Sequence, residues 1–361
     1  MKAPKRFASA SFFVLLFIAV IVAFAVLKIA SSVLIPLAIA LVLSIVLEPI
    51  ILMLNKKLHL PKFLCIIILI IAALIAIFFV GTLLVSSFRT ILAQYPRYEQ
   101  RFVIIYENIA SIFNLPYNED LSLFKNLWDQ VSVRSFVQDI TISFSGSLLQ
   151  FLKDTLLVFL FVFFFLSEMR FFRDKLKAAL ADILPNSFKS AFSDVVSQIA
   201  RYITVKFYIS LFTGILVYAG TLIIGLDFPV IWGFIAFVLN FIPNFGSIIS
   251  GLLTSVFALV QFWPKPAPVV STVLVMLVVN MILGNILEPK IQGRKLGLSP
   301  FVIIASLSIW GWIWGFAGMV LAVPIMVVIK IICENIEILH PVSILLGTVV
   351  SKPKQETEHT S

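Results

Sequence analysis

From Ile66 to Val85 the chain runs for twenty residues without a charged side chain, and Ser11–Leu27 is a second such run. A helix rises about 1.5 Å per residue, so runs of this length match a hydrocarbon core about 30 Å thick. Across 361 residues, 61% are hydrophobic and 12% charged. A soluble domain carries about a quarter charged residues, and no single water-soluble core of this length hides so much apolar surface. The chain reads as an all-α, polytopic membrane protein.

Charge then sets topology. The net charge of +9 lies in short segments beside the apolar runs, with no basic-aromatic face of nucleic-acid type. Apolar runs fall at 11–28, 33–54, 63–87, 148–168, 207–226, 229–243, 246–263 and 268–287, with a longer one at 300–332. Lys2, Lys5 and Arg6 place the N-terminus in the cytoplasm, ahead of a first span expected to stay uncleaved. Lys56, Lys57 and Lys62 mark a second internal loop, and the bases between Arg170 and Lys206 mark a third. Lys290, Arg294 and Lys295 mark a fourth, and one alternation satisfies all four.

The expected division is three spans over 1–87, an external insert over 88–147, and the fourth span with a basic loop over 148–206. A C-terminal bundle over 207–340 and a cytoplasmic tail over 341–361 follow. In the insert, Tyr95, Tyr98, Phe102, Ile105, Ile109 and Ile112 recur at helical steps, an amphipathic helix that lies on the membrane or on a neighbouring helix. A lid or a contact in a homo-oligomer is the sharper alternative.

The run at 300–332 is far too long for one crossing. It fits if it folds as a re-entrant helical hairpin turning at Gly315–Gly318, with Trp310, Trp312 and Trp314 as rigid fillers near the turn. The rival is one long tilted helix. Irregular backbone at membrane depth survives only where protein or a wet cavity satisfies it. A second interruption is "NFIPNFGSIISG". Pro243 has no amide hydrogen, so the carbonyl near residue 239 loses its donor, while Asn244, Gly246 and Ser247 favour a turn and Ser247 is placed to cap the next helix. Such a break is either a plain interhelical turn or a discontinuous helix whose termini face a solute.

Polar groups at membrane depth are few. Asn280, Gly284 and Glu288 fall at four-residue steps and share one face of an α-helix, with Asn285 beside them. Interhelical hydrogen bonding with a charge at the interface is one reading; a functional carboxylate is the other. Asp154, next to Lys153, is a second candidate carboxylate, with interfacial anchoring as its plain alternative. There is no phosphate-binding loop of G-x-x-x-x-G-K-[ST] type, no serine–histidine pair and no aspartyl dyad at membrane depth, so no enzyme is expected. Cys65 and Cys333 form no metal spacing, and neither a metal nor a cofactor is expected.

"PNFGSIISG", "NILEPKIQGRKLGLSP" and "GFAGMVLAVPIMVVIK", in this order, resemble the C-terminal signature of the autoinducer-2 exporter family, also called PerM-type permeases. "IPLAIALVLSIVLEPI" is similar to the family's early segment. The resemblance implies a bacterial inner-membrane secondary transporter with about eight transmembrane helices, exporting autoinducer-2 or exchanging sodium or lithium for protons. The matching motif positions are Pro243, Gly246, Glu288, Pro289, Gly293, Pro300, Gly315, Gly318 and Pro324; Ser247 departs from the small residue or proline usual after that glycine.

The expectation is therefore an exporter of a small polar solute such as autoinducer-2. Its pathway would be built from Asn240, Pro243, Asn244, Gly246, Ser247, Asn280, Asn285, Gly315 and Gly318, with Glu288 or Asp154 as coupling carboxylate. A sodium(lithium)/proton antiporter is the alternative. A membrane scaffold binding a partner through residues 88–147 is the reading of another class.

Overall fold

The computed structural model describes residues 18–19, 21–112, 148–179, 186–243, 245–292, 297–335 and 339–347. Among these, the regular elements are helices: Ser31–Leu58 (α1), Lys62–Ile112 (α2), Leu148–Ala179 (α3), Asn186–Ile224 (α4), Pro229–Leu239 (α5) and Phe245–Phe262 (α6). They continue with Pro266–Val279 (α7), a π-helical segment Asn280–Leu287, Glu288–Gln292 (α8), Pro300–Asn335 (α9) and His340–Leu346 (α10). Among the described residues, six stretches are long and apolar enough to cross a membrane: Ser31–Leu58, Lys62–Ile91, Ser197–Ile224, Phe245–Phe262, Pro266–Gln292 and Pro300–Glu334. Ile29, Ile223 and Phe301 are more than three-quarters exposed. Such side chains on these helices are satisfied by lipid, the solvent the composition calls for.

Two compact units divide the chain, one of residues 1–47, 160–203 and 294–361, the other of residues 48–159 and 204–293. In the first unit, α9 is not a rod. Gly315 sits at φ 60°, ψ −139°, a conformation closed to side chains with a Cβ, and there the chain reverses. Ser306 Oγ donates to the Ala322 carbonyl at 3.1 Å. Sixteen residues apart on a straight helix, those groups would be about 24 Å from each other. The arms touch through glycine: a Cβ on Gly318 would lie 1.9 Å from the Trp310 carbonyl oxygen. The hairpin expected at Gly315–Gly318 is present, and the single tilted helix is not.

Its tryptophans divide differently from the expectation. Trp310 is buried, its ring 5.5 Å from Trp314 and 6.1 Å from Phe24. Trp314 Nε1 donates to the Leu27 carbonyl. Trp312, by contrast, is 69% exposed, with Lys28 Nζ 3.9 Å from its ring centroid. Exposed to that extent, it is not a filler of the turn. Pro324 is buried within the second arm. Pro300 starts the first, where its missing amide costs no helical bond. Behind it, Ser299 N–H donates to the Leu346 carbonyl, which ties α10 to the start of the hairpin.

In the second unit, α4, α5, α6 and α7 pack around Val205, Ile209, Val217, Trp232, Ala236, Ala258, Met276 and Val279. The amphipathic sequence around Tyr98 is the distal half of the continuous α2, which runs through Pro96 to Ile112. Its apolar face does not lie bare: Tyr98, Ile105 and Phe102 pack with Phe228, Ile231, Val260 and Trp263.

Candidate functional site

The break at Pro243 is built from local bonds. α5 ends at Leu239, and the carbonyl that Pro243 cannot serve accepts instead from Ile242 N–H at 2.8 Å. Gly246 N–H then bonds the Ile242 carbonyl. Gly246 lies so close to the end of α5 that a Cβ would sit 1.6 Å from the Leu239 oxygen. This is the physical need for glycine at that position. α6 begins at Phe245, so Ser247 lies inside the first turn and not at the cap expected for it. Asn244 and Gly293 lie outside the described residues.

Around this break the second unit gathers its polar side chains. Asn240 is buried and donates through Nδ2 to Ser210 Oγ at 3.0 Å. Asn280 Nδ2 points at the Ser247 carbonyl, 3.5 Å away. Glu288 holds Lys206: the ammonium nitrogen lies 2.9 Å from Oε1 and 3.1 Å from Oε2, with side-chain exposures of 9% for lysine and 15% for glutamate. The Glu288 partner thus comes from α4, not from the adjacent Lys290.

Lys206 was not among the sequence candidates because it closes the basic segment that sets topology. A signal was present. Lys206, Ser210, Thr213 and Thr221 lie at steps of four, three and eight residues, one face of the apolar second half of α4, and all four are buried. Thr213 and Thr221 hydroxyls bond carbonyls one turn back, so their polarity is satisfied within α4. Lys206 and Ser210 instead reach other elements.

The alignment expected of Asn280, Gly284 and Glu288 assumed α-helical register. Residues Asn280–Leu287 form a π-helix, whose i→i+5 bonds widen the turn. The Glu288 amide continues that ladder by bonding the Leu283 carbonyl. Asn285 and Pro289 are exposed and stand outside the buried cluster. Asp154 is exposed on α3. Gly315 and Gly318 belong to the hairpin of the first unit. Among the described residues no three histidine, cysteine, aspartate or glutamate side chains come together as a metal site.

A second polar assembly lies where α2 meets the α4–α5 turn. Tyr98 OH donates to Asp227 Oδ2 at 2.5 Å, and Trp232 Nε1 donates to the Asp227 carbonyl. Gln261 accepts from Asp227 N–H and donates to the Gly225 carbonyl, bracing the turn from α6. Burial, with the Asp227 hydrogen bond second, pushes the Tyr98 hydroxyl above its ordinary pKa.

The family profile described as "AI-2E family transporter" matches residues 12–338. A Borreliella burgdorferi protein named "Putative transport protein" is 32% identical over 320 residues, covering 89% of this chain and 86% of the relative. The Escherichia coli K12 protein named "Putative transport protein YhhT" is 29% identical over 321 residues, 88% of this chain and 89% of its own. The "AI-2 transport protein TqsA" of the same strain is 32% identical over 198 residues, 54% of this chain and 56% of its own.

Proposed function

Because the chain belongs to the AI-2E transporter family, we propose that it is a secondary exporter of a small polar solute, with Glu288 as its coupling carboxylate. The observation that carries this reading is the Lys206–Glu288 pair, two charges held in the shelter of apolar helices. Desolvating such a pair is costly, and well-packed hydrophobic side chains often serve stability as well or better. Ionisable groups kept among spanning helices mark pathways and relays. The Asn240–Ser210 bond and the Pro243 break add hydrogen-bonding groups and helix termini on the same unit.

In this reading the lysine ammonium neutralises Glu288 while the carrier is empty. A proton or cation arriving at the carboxylate frees Lys206, and the exchange alters the packing of α4 against the π-helical segment. The name of TqsA supports autoinducer-2 as the first solute to try. The relatives' bacterial sources support placement in the inner membrane.

The test is efflux of labelled autoinducer-2 from proteoliposomes of purified protein. Flux that falls with Glu288→Gln, at unchanged insertion, supports the reading. A sodium-driven pH change without solute flux would assign the same carboxylate to cation–proton exchange, and absence of both would remove the carrier function.

A further inference from the structure

Outside the Glu288 cluster, two buried donors among the described residues of the second unit have no acceptor. Arg101 Nη1 and Trp263 Nε1 are both buried from solvent, and neither finds a hydrogen-bond partner among the described residues. Buried donors in folded proteins are nearly always satisfied, and the exceptions point to strain or to a missing water, ion or ligand. For a guanidinium nitrogen the cost of standing unpaired is larger than for a neutral group.

Both donors belong to one neighbourhood. Arg101 follows Tyr98 by three residues and precedes Ile105 by four, so it shares the α2 face on which those two are buried. Trp263 packs against that same cluster from the end of α6. Aromatic rings wall the place: Tyr98 and Phe257 are 5.3 Å apart, and Phe257 and Trp232 are 5.0 Å apart. The charges there are of both signs, and Asp227 acts on the Tyr98 hydroxyl more strongly than either arginine. Arg97 and Arg101 both act electrostatically on the Tyr98 hydroxyl, while the facing carboxylate, Asp227, has Oδ2 engaged by Tyr98. Asp227 nonetheless leaves Arg101 Nη1 and Trp263 Nε1 without an acceptor.

Its level in the molecule narrows the ligand. Ile224 ends the apolar stretch of α4, Phe262 ends that of α6, and the apolar part of α2 ends at Ile91. Trp263 is the first residue past one of these ends, and Arg101 lies ten residues, about 15 Å of helix, past another. Trp263 thus stands at the end of an apolar span, where tryptophan meets headgroups, and Arg101 stands beyond the end of another.

We propose that Arg101 and Trp263 form a site for a phosphate-type oxyanion, supplied by a phospholipid headgroup or by a free solute. The guanidinium and the indole N–H both donate to its oxygens, and the aromatic cluster holds the two donors in place. Arginine suits this role because its planar fork matches oxyanion geometry. The site is separate from Glu288 and does not rest on the transport reading.

The experiment measures thermal unfolding of the purified full chain in lipid-free neutral detergent. One arm adds inorganic phosphate and the other adds phosphatidylglycerol. The wild-type protein should gain stability from at least one, and which arm responds identifies the source. Arg101→Gln should lose the response. Trp263→Phe, which keeps a ring but removes the N–H, should weaken apparent affinity about tenfold, the usual result of losing one hydrogen bond to a charged partner. If Arg101→Gln fails to fold, Trp263→Phe carries the test alone. No response in the wild type, or equal responses in all three proteins, overturns the proposal.

Discussion

Removing either member of the Lys206–Glu288 pair strands a charge among apolar helices. Lys206→Met should destabilise the protein by about 3–5 kcal/mol, the range for an uncompensated buried charge. Lys206→Met combined with Glu288→Leu should recover most of that loss. Thermal unfolding in detergent checks both, and a double variant weaker than the single would contradict the pairing. Tyr98 gives a prediction in pH. Its hydroxyl titrates above the ordinary value near 10 because burial and Asp227 disfavour the phenolate. The neutral form therefore adds stability that is complete below that ordinary value and is lost as pH rises through the raised one. Unfolding profiles from neutral to strongly alkaline pH should show this extra loss in the wild type and not in Tyr98→Phe. At this scale the sequence exposed Glu288, because a carboxylate near the end of an apolar run is conspicuous. It concealed Lys206, because a lysine continuing a basic segment reads as a topology signal.

For the elements, legibility followed the locality of the cause. The Pro243 break was readable because proline removes its own amide, and Leu239 indeed bonds Ile242 in its place. The hairpin in α9 was readable because Gly311, Gly315 and Gly318 interrupt a run too long for one crossing. The π-helical register of Asn280–Leu287 was not, because nothing local in "NMILGNIL" distinguishes five-residue bonding from four. Leu283 of that segment is buried in the core of the second unit, a contact the local sequence does not announce. The hairpin has a direct check. With Cys65 and Cys333 replaced by alanine, Ser306→Cys combined with Ala322→Cys should crosslink under mild oxidation. A rod would hold those positions about 24 Å apart, beyond any disulfide. Gly318→Val should lower the crosslinking yield, because a Cβ at Gly318 collides with the Trp310 carbonyl.

For the whole molecule, solvent was the most legible property and long-range pairing the least. Composition alone required lipid, whereas Tyr98 meets Asp227 across 129 residues and Lys206 meets Glu288 across 82. No local pattern encodes either distance; both follow from how α2, α4 and the π-helical segment pack. That distinction bears on turnover. If a carrier cycle requires Glu288 to release and regain Lys206, the two side chains act as one unit, and their loss should be strongly non-additive. Glu288→Gln should reduce solute efflux from proteoliposomes by about tenfold or more, and Lys206→Gln should do comparable damage. Lys206→Gln combined with Glu288→Gln should be no slower than either single variant, and faster if relief of the stranded charge restores packing. Multiplying losses, with the double variant slower than both, would mean that the two residues serve separate steps and that their ion pair is not the coupling element.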